Sequence, residues 1–314
     1  MKPLSDAAIA RLRDAVERPD AGDRYEVHEL LGRGGMGTVY RATDRVLARD
    51  VALKVLSTEQ ESDPVAQRLQ REARVLARLE HPGIVSVHDA GTLADGRPFY
   101  VMRLVRGRRL DEQARDDGRG DLLRRFLAIC DAVSFAHARG VIHRDLKPTN
   151  VMVGEFGEVL VLDWGVAKLS DTGEERGSAS GATAEDPDAG IAVGTPGFMA
   201  PEQASGATSV DARADVYGLG AMLRGLLATH GHSIPPPLQA IVERATSERA
   251  TDRYATVDAL AADVRAWLDA APVSAYRERP WEKLARFYRR NQALILLLLA
   301  YLVVRVVILA WRGV

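Results

Sequence analysis

The sequence predicts an α+β fold in which a folded body of about 24–270 divides into two lobes, followed by one apolar helix of membrane length. Strand-like alternation runs through 25–56, helix-period patterns follow it, and residues 293–311 are apolar but for one arginine. A body of that length is large for a single core, which favours two lobes. The 314 residues are 46% apolar, 27% charged and 6% aromatic, a globular composition that excludes a disordered tail or a collagen-like fibre. With 42 basic and 43 acidic residues the formal charge is -1, so nothing global argues for nucleic acid, and no such partner is expected. A single cysteine, Cys130, cannot form an internal disulfide, and its neighbours Phe126, Leu127, Ile129 and Val133 predict a helical core position.

Residues 1–23 read as a helical extension, with Ala8, Ile9, Leu12 and Val16 at helical spacing and no apolar run of export-signal length. The first motif is Leu31-Gly32-Arg33-Gly34-Gly35-Met36-Gly37-Thr38-Val39-Tyr40, followed by Val51-Ala52-Leu53-Lys54-Val55-Leu56. Its glycines allow backbone to approach phosphate without a Cβ clash. Gly-x-Gly-x-x-Gly alone also fits a dinucleotide-binding helix or a flexible turn. Strand-like residues, not a helix, follow these glycines, which argues against a dinucleotide site. Lys54 closes an apolar run, and a lysine on a buried strand needs an anionic partner. Glu72, on the inward face of a helix predicted over 65–80 with Leu69, Val75, Leu76 and Leu79, is a candidate; pairing with Arg68 or Arg71 on its own helix is the ordinary alternative.

The densest signal is His143-Arg144-Asp145-Leu146-Lys147-Pro148-Thr149-Asn150, then apolar 151–153, a turn, and Val159-Leu160-Val161-Leu162-Asp163-Trp164-Gly165. Asp145 can accept a hydroxyl proton and Lys147 can neutralise a transferring phosphoryl group. Asn150 with Asp163 offers hard oxygen ligands of the kind Mg²⁺ takes, while His143 reads as structural.

Together these motifs resemble the eukaryotic-type (Hanks-type) serine/threonine protein kinases of bacteria, over about residues 24–270. The resemblance implies a bilobal protein-kinase-like fold, with a small β-rich N-lobe (24–105) and a larger helical C-lobe (106–270). It implies that Leu31, Gly32, Gly34, Gly37 and Val39 cover ATP, and that Lys54 holds its α and β phosphates while pairing with Glu72. Met102 to Val105 would form the hinge, with Met102 and Leu104 against adenine. Asp145 would be the catalytic base, Lys147 would meet the γ-phosphate, and Asn150 and Asp163 would bind Mg²⁺, with Mn²⁺ as the alternative ion. Residues 193–202 resemble the end of an activation segment and include Thr195; Glu202 would pair with Arg253, and Asp215 would brace the catalytic loop.

The chain departs from the family pattern in four places. Trp164 stands where Phe is usual after the metal-binding aspartate, and Arg103 occupies a hinge position that is often acidic. Only 229–237 separate Leu227 from the next predicted helix at Leu238, leaving little room for the family's substrate-side helix. The segment from Asp163 to Glu202 is long and carries Ser170, Thr172, Ser178, Ser180, Thr183 and Thr195; its Gly, Ser and acidic residues around 171–190 predict a loop. Arg144 beside Asp145 resembles kinases whose loop is ordered by a phosphate, so autophosphorylation is expected. Lys147 two places after Asp145 favours protein Ser/Thr hydroxyls as acceptors by the same resemblance. The competing reading is a nucleotide-binding pseudokinase scaffold, although the positions whose loss marks such proteins are intact.

Residues 271–292 read as a basic juxtamembrane linker with Pro272 and Pro280, in which Arg277, Arg279, Lys283, Arg286, Arg289 and Arg290 outnumber Glu278 and Glu282. The positive-inside rule then predicts a single-pass protein of the cell membrane with its folded body cytoplasmic. Within 293–311 the one charge, Arg305, lies six residues from Trp311, roughly 9 Å along a helix, so its side chain can snorkel to the interface. Trp281, Phe287, Tyr288 and Trp311 fit interfacial positions, and a buried C-terminal helix pair is the alternative. Three residues follow Trp311, so no sensor domain is expected beyond the anchor. A homodimer through this helix is left open, since Gly-x-x-x-Gly is absent.

Overall fold

The structure, a computed structural model, describes residues 18–34, 37–55, 76–164, 168–169, 195–207, 210–229, 231, 233–280, 283 and 292–312. Five antiparallel strands build the first lobe: β1 (Tyr25–Gly34), β2 (Gly37–Asp44), β3 (Arg49–Val55), β4 (Val87–Thr92) and β5 (Pro98–Arg103), in the order β1-β2-β3-β5-β4. Side chains alternate across a strand, and this alternation gives the sheet two different faces. Tyr25, Tyr40, Ala42, Val51, Leu53, Val55, Phe99 and Val101 close one face into a small core. Between them Ala52, Lys54, Tyr100 and Met102 fall on the other face, where Tyr100 and Met102 pack into the core of the second lobe.

The chain leaves β5 and lays β6 (Gly107–Arg109) against β8 (Val151–Gly154), which pairs in turn with β9 (Val159–Val161). Gly107 is required here: its φ is +156°, and a Cβ would lie inside the carbonyl oxygen of Val153. The crossover between lobes is thereby fastened to the strand that follows Asn150.

The second lobe is helical: α1 (Leu110–Gln113), α2 (Arg119–Ala138), α3 (Pro201–Ala204), α4 (Arg213–Ala228), α5 (Pro236–Ala245) and α6 (Val257–Leu268). A two-residue strand β7 (Val141–Ile142) pairs with β10 (Lys168–Leu169). Cys130 is buried on α2 as its neighbours predict, and burial pushes its thiol pKa up, away from reactivity. Helix α5 begins two residues before Leu238, because prolines fit the first helical turn, where no N–H partner is needed. After α6 the chain does not leave the lobe at once. Asp263 accepts hydrogen bonds from the Tyr254 hydroxyl (2.7 Å), the Ser274 N–H (2.7 Å) and hydroxyl (2.8 Å), and the Ala275 N–H (3.0 Å). Val273 is buried beside it, so the segment expected to be a linker from 271 onward starts as a strap on the C-lobe.

The N-terminal helix, the loop around 171–190, Glu72 with most of its predicted helix, and Trp281, Phe287 and Tyr288 lie outside the described residues. Leu76 and Leu79, at the end of that predicted helix, are buried. The last helix, α7 (Gln292–Arg312), has described side chains over 295–305 and at Trp311. Among the described residues no helix is long and apolar enough to cross a membrane, so the transmembrane segment expected over 293–311 is not established by the structure.

Candidate active site

Alternation in β3 places Lys54 on the face that looks toward the second lobe, opposite Val39 of β2 and Tyr100 of β5. Its Nζ donates to Asp163 Oδ1 at 2.7 Å and lies 5.7 Å from the Tyr100 ring centroid. Burial by itself would raise the Asp163 carboxyl pKa, but the charge and hydrogen bond of Lys54 outweigh it and hold the carboxyl below its ordinary range. The positive charge of Lys147 reaches Asp163 as well, so the lysines of both lobes act on one carboxylate. Asp163 itself has φ +58°, a left-handed backbone uncommon for aspartate, immediately before the fully buried Trp164. The indole packs 4.6 Å from the His143 ring and so fills the place next to the loop from His143 to Asn150.

In that loop, the Asp145 carboxylate gathers three groups. Lys147 Nζ donates to its Oδ2 at 2.6 Å, Asn150 Nδ2 donates to the same oxygen at 3.1 Å, and the Thr195 hydroxyl donates to Oδ1 at 2.9 Å. Lys147 also donates to Thr195 Oγ1 at 2.6 Å. Asn150 Nδ2 further bonds the Asp145 carbonyl at 2.9 Å, which locks the short 3₁₀ turn Pro148–Asn150 onto the loop.

Behind the loop, Asp215 projects from α4 and is 1% exposed. Its Oδ2 accepts the His143 N–H (2.8 Å) and bonds His137 Nε2 (2.7 Å), and its Oδ1 accepts the Arg144 N–H (2.8 Å). Burial pushes its carboxyl pKa up, and these bonds with the His137 charge more than reverse that. At the far side Glu202 and Arg253 form a two-pronged ion pair at 2.6 and 2.8 Å.

A glycine-rich hairpin, a lysine–aspartate pair across the lobes, and an aspartate–lysine–asparagine loop braced from a central helix stand together in one structure. Residues 25–262 match the family model described as protein kinase domain. The chain belongs to the protein kinase domain family. The chain is 36% identical over 277 residues to the serine/threonine-protein kinase PknB of Mycolicibacterium smegmatis, covering 77% of this chain and 42% of the relative. The PknB of Mycobacterium tuberculosis is likewise 36% identical over 276 residues, with coverage of 77% and 42%. The crystal structure of the Mycobacterium tuberculosis PknI kinase domain superposes with a TM-score of 0.58 at 28% identity, covering 77% of this chain and 95% of that one. The chain thus spans less than half the length of the curated relatives it matches.

The donors of this kinase domain suit Mg-ATP. Among the described residues, a Cβ at Gly32 or Gly34 would meet no atom within 4 Å, so packing against them does not demand those glycines. Among the described residues no group of three or more His, Cys, Asp or Glu could enclose a metal. An ion held by one carboxylate, one amide oxygen and substrate phosphates needs no such cage. Asp163 Oδ2 and Asn150 Oδ1 are the atoms left for it, since Asp163 Oδ1 faces Lys54 and Asn150 Nδ2 faces Asp145.

Leu31 is exposed and Val39 half-buried on the hairpin, while Met102 and Leu104 are half-buried at the end of β5 and just beyond it. Gly37, opposite Gly34, is buried at the base of the turn. The expected Lys54–Glu72 contact falls outside the described residues; the described partner of Lys54 is Asp163. Three residues were not singled out from sequence: Tyr100 beside Lys54, His137 under Asp215, and Gln203 beneath the loop. Alternation in β5 would have found Tyr100. His137 and Gln203 meet partners 78 and 59 residues away, which no local pattern marks.

Proposed function

We propose that this protein is an ATP-dependent protein serine/threonine kinase. The observation that carries the reading is the Asp145 carboxylate holding a hydroxyl, that of Thr195, while Lys147 contacts both. A substrate Ser or Thr hydroxyl needs the same two neighbours. Its oxygen attacks the γ-phosphorus of ATP, its proton passes to Asp145, and the bond to the β-phosphate oxygen breaks to release ADP. Lys147 offsets charge on the transferring group, and Lys54 orients the remaining phosphates. Mg²⁺, when held by Asn150 and Asp163, neutralises phosphate charge. Positioning and charge stabilisation supply most of the catalysis in this reaction class.

The experiment is radiolabelled phosphate transfer from ATP with a generic basic protein substrate, beside Asp145→Asn. Label on Ser or Thr in the parent and its loss in the variant are the expected results. ATP binding without transfer in either protein would instead favour the scaffold reading. Autophosphorylation between 163 and 202 belongs to the same proposal, and phosphopeptide mapping of active protein tests it. An unmodified segment would remove it.

The proposal extends to a membrane anchor over 293–311. Its support is the apolar run itself, with Arg305 as sole charge, and the exposure of Leu296, Leu297, Leu298, Leu299, Leu302, Val303 and Val304 on α7. Expression with and without 293–311, followed by carbonate extraction of membranes, checks it. Equal recovery of both forms in the soluble fraction would refute the anchor.

A further inference from the structure

We propose that Gln203 is a positioning residue for phosphoryl transfer, tying the end of the activation segment to the peptide that aims Asp145. The inference rests on the kinase reading above. Gln203 lies on α3 and is only 6% exposed, and a buried carboxamide must satisfy both its ends. Its Oε1 accepts the Ala200 N–H at 3.2 Å, which fixes the orientation of the amide. The NH₂ end therefore faces the Arg144 carbonyl oxygen and donates to it at 2.9 Å.

Arg144 is the residue whose conformation most needs such a contact. Its φ is +69°, a left-handed backbone that a long side chain adopts only where surrounding bonds over-determine it. Asp215 Oδ1 holds its N–H at 2.8 Å, and Gln203 holds its carbonyl. Arg144 is clamped at both ends of its backbone, from the central helix α4 on one side and on the other from α3, which closes the activation segment. Asp145 bonds Thr195, which lies eight positions before Gln203 in the same segment. One short stretch of chain thus touches the catalytic loop twice, once at the carboxylate and once at the backbone preceding it. Gln203 bonds neither Lys54 nor Asp163, so its loss should misalign the base without weakening the nucleotide site.

Gln203→Glu and Gln203→Met, made in the full chain, separate alignment from folding. The glutamate variant keeps shape and the acceptor for Ala200, but its ionised carboxylate has no hydrogen to give Arg144; once protonated it does. Burial raises a carboxyl pKa, which brings this protonation toward neutral pH. Expected for Gln203→Glu is a kcat about tenfold below the parent at pH 8, an unchanged KM for ATP, and a variant-to-parent ratio that climbs as pH falls toward 6. Gln203→Met should show the same loss at every pH. Values of kcat within twofold of the parent in both variants would overturn the proposal, as would a pH-independent ratio for Gln203→Glu. Loss of the native melting transition in both variants would make Gln203 a folding residue and equally overturn it. A parent no more active than Asp145→Asn would sink the kinase reading itself, and the inference with it.

Discussion

Arg253 shows how one side chain can close a fold. The guanidinium has five N–H donors, and the structure supplies acceptors for all of its nitrogens: Nε to the Ser247 carbonyl, Nη1 to Glu202 and the Arg213 carbonyl, Nη2 to Glu202 and the Glu248 carbonyl. Its side chain is 0% exposed, so each unmet donor would be a buried polar group without water. An ammonium cannot reproduce the planar fork. Arg253→Lys should therefore lower stability by about 3 kcal/mol, the scale of a broken buried ion pair, measured as a shifted urea midpoint with an unchanged slope. A loss under 0.5 kcal/mol would mean that the pair is dispensable. Pairing of Glu202 with Arg253 was legible in the sequence through the family resemblance. The Arg213 carbonyl was not, because it becomes a neighbour only when α4 and the turn Ala250–Asp252 pack together, whereas the Ser247 and Glu248 carbonyls lie six and five residues before Arg253.

The central helix α4 can be buried on nearly every side because it carries small residues where neighbours press closest. A Cβ at Gly220 would lie 2.5 Å from the Cβ of Ala245 on α5, well inside the 3.5–4.0 Å at which carbon atoms pack. Gly220→Ala gains up to about 1 kcal/mol in helix propensity yet overpacks the α4–α5 contact by about 1–3 kcal/mol. Net destabilisation with a lower Tm is the expected sign. The strap after α6 offers a second case. Asp263 collects four hydrogen bonds, three of them from Ser274 and Ala275, and keeps a carboxyl pKa below the ordinary range despite burial. Asp263→Ala should free 273–276 and make that segment a new site for limited proteolysis; cleavage there at the parent's rate would contradict the clamp. The proline-containing sequence of 271–280 reads as linker, and nothing local announces that Asp263 will catch it.

Over the whole molecule, partnered carboxylates set the response to acid. Asp163, Glu202, Asp215 and Asp263 are all held below their ordinary pKa in the folded state. In each, burial pushes upward, while Lys54, Arg253, His137 and the Ser274 N–H respectively are the leading opposing partners and prevail. A depressed folded-state value adds stability above the unfolded pKa, near 4, and that stability is lost as pH falls through the folded value. Calorimetric Tm should thus decline below about pH 4, and a flat profile down to pH 2 would contradict these pairings. Lys54–Asp163 joins the two lobes electrostatically, so acid should weaken lobe contact together with the C-lobe.

Local periodicity and close spacing already encode the alternating strands around Lys54, the helical burial of Cys130, and the loop from His143 to Asn150 with its chemistry in order. A strand has a period of two residues whatever it packs against, and a loop of eight residues keeps its side chains within reach of one another. Packing between distant elements is what sets Lys54 against Asp163, seats His137 on Asp215 beneath the loop, clamps Arg144 with Gln203, and straps the chain after α6 to Asp263. Each of these joins residues from 11 to 109 positions apart. Such bonds exist only once hydrophobic burial has brought separate elements together and removed the water that would otherwise have satisfied the same polar groups.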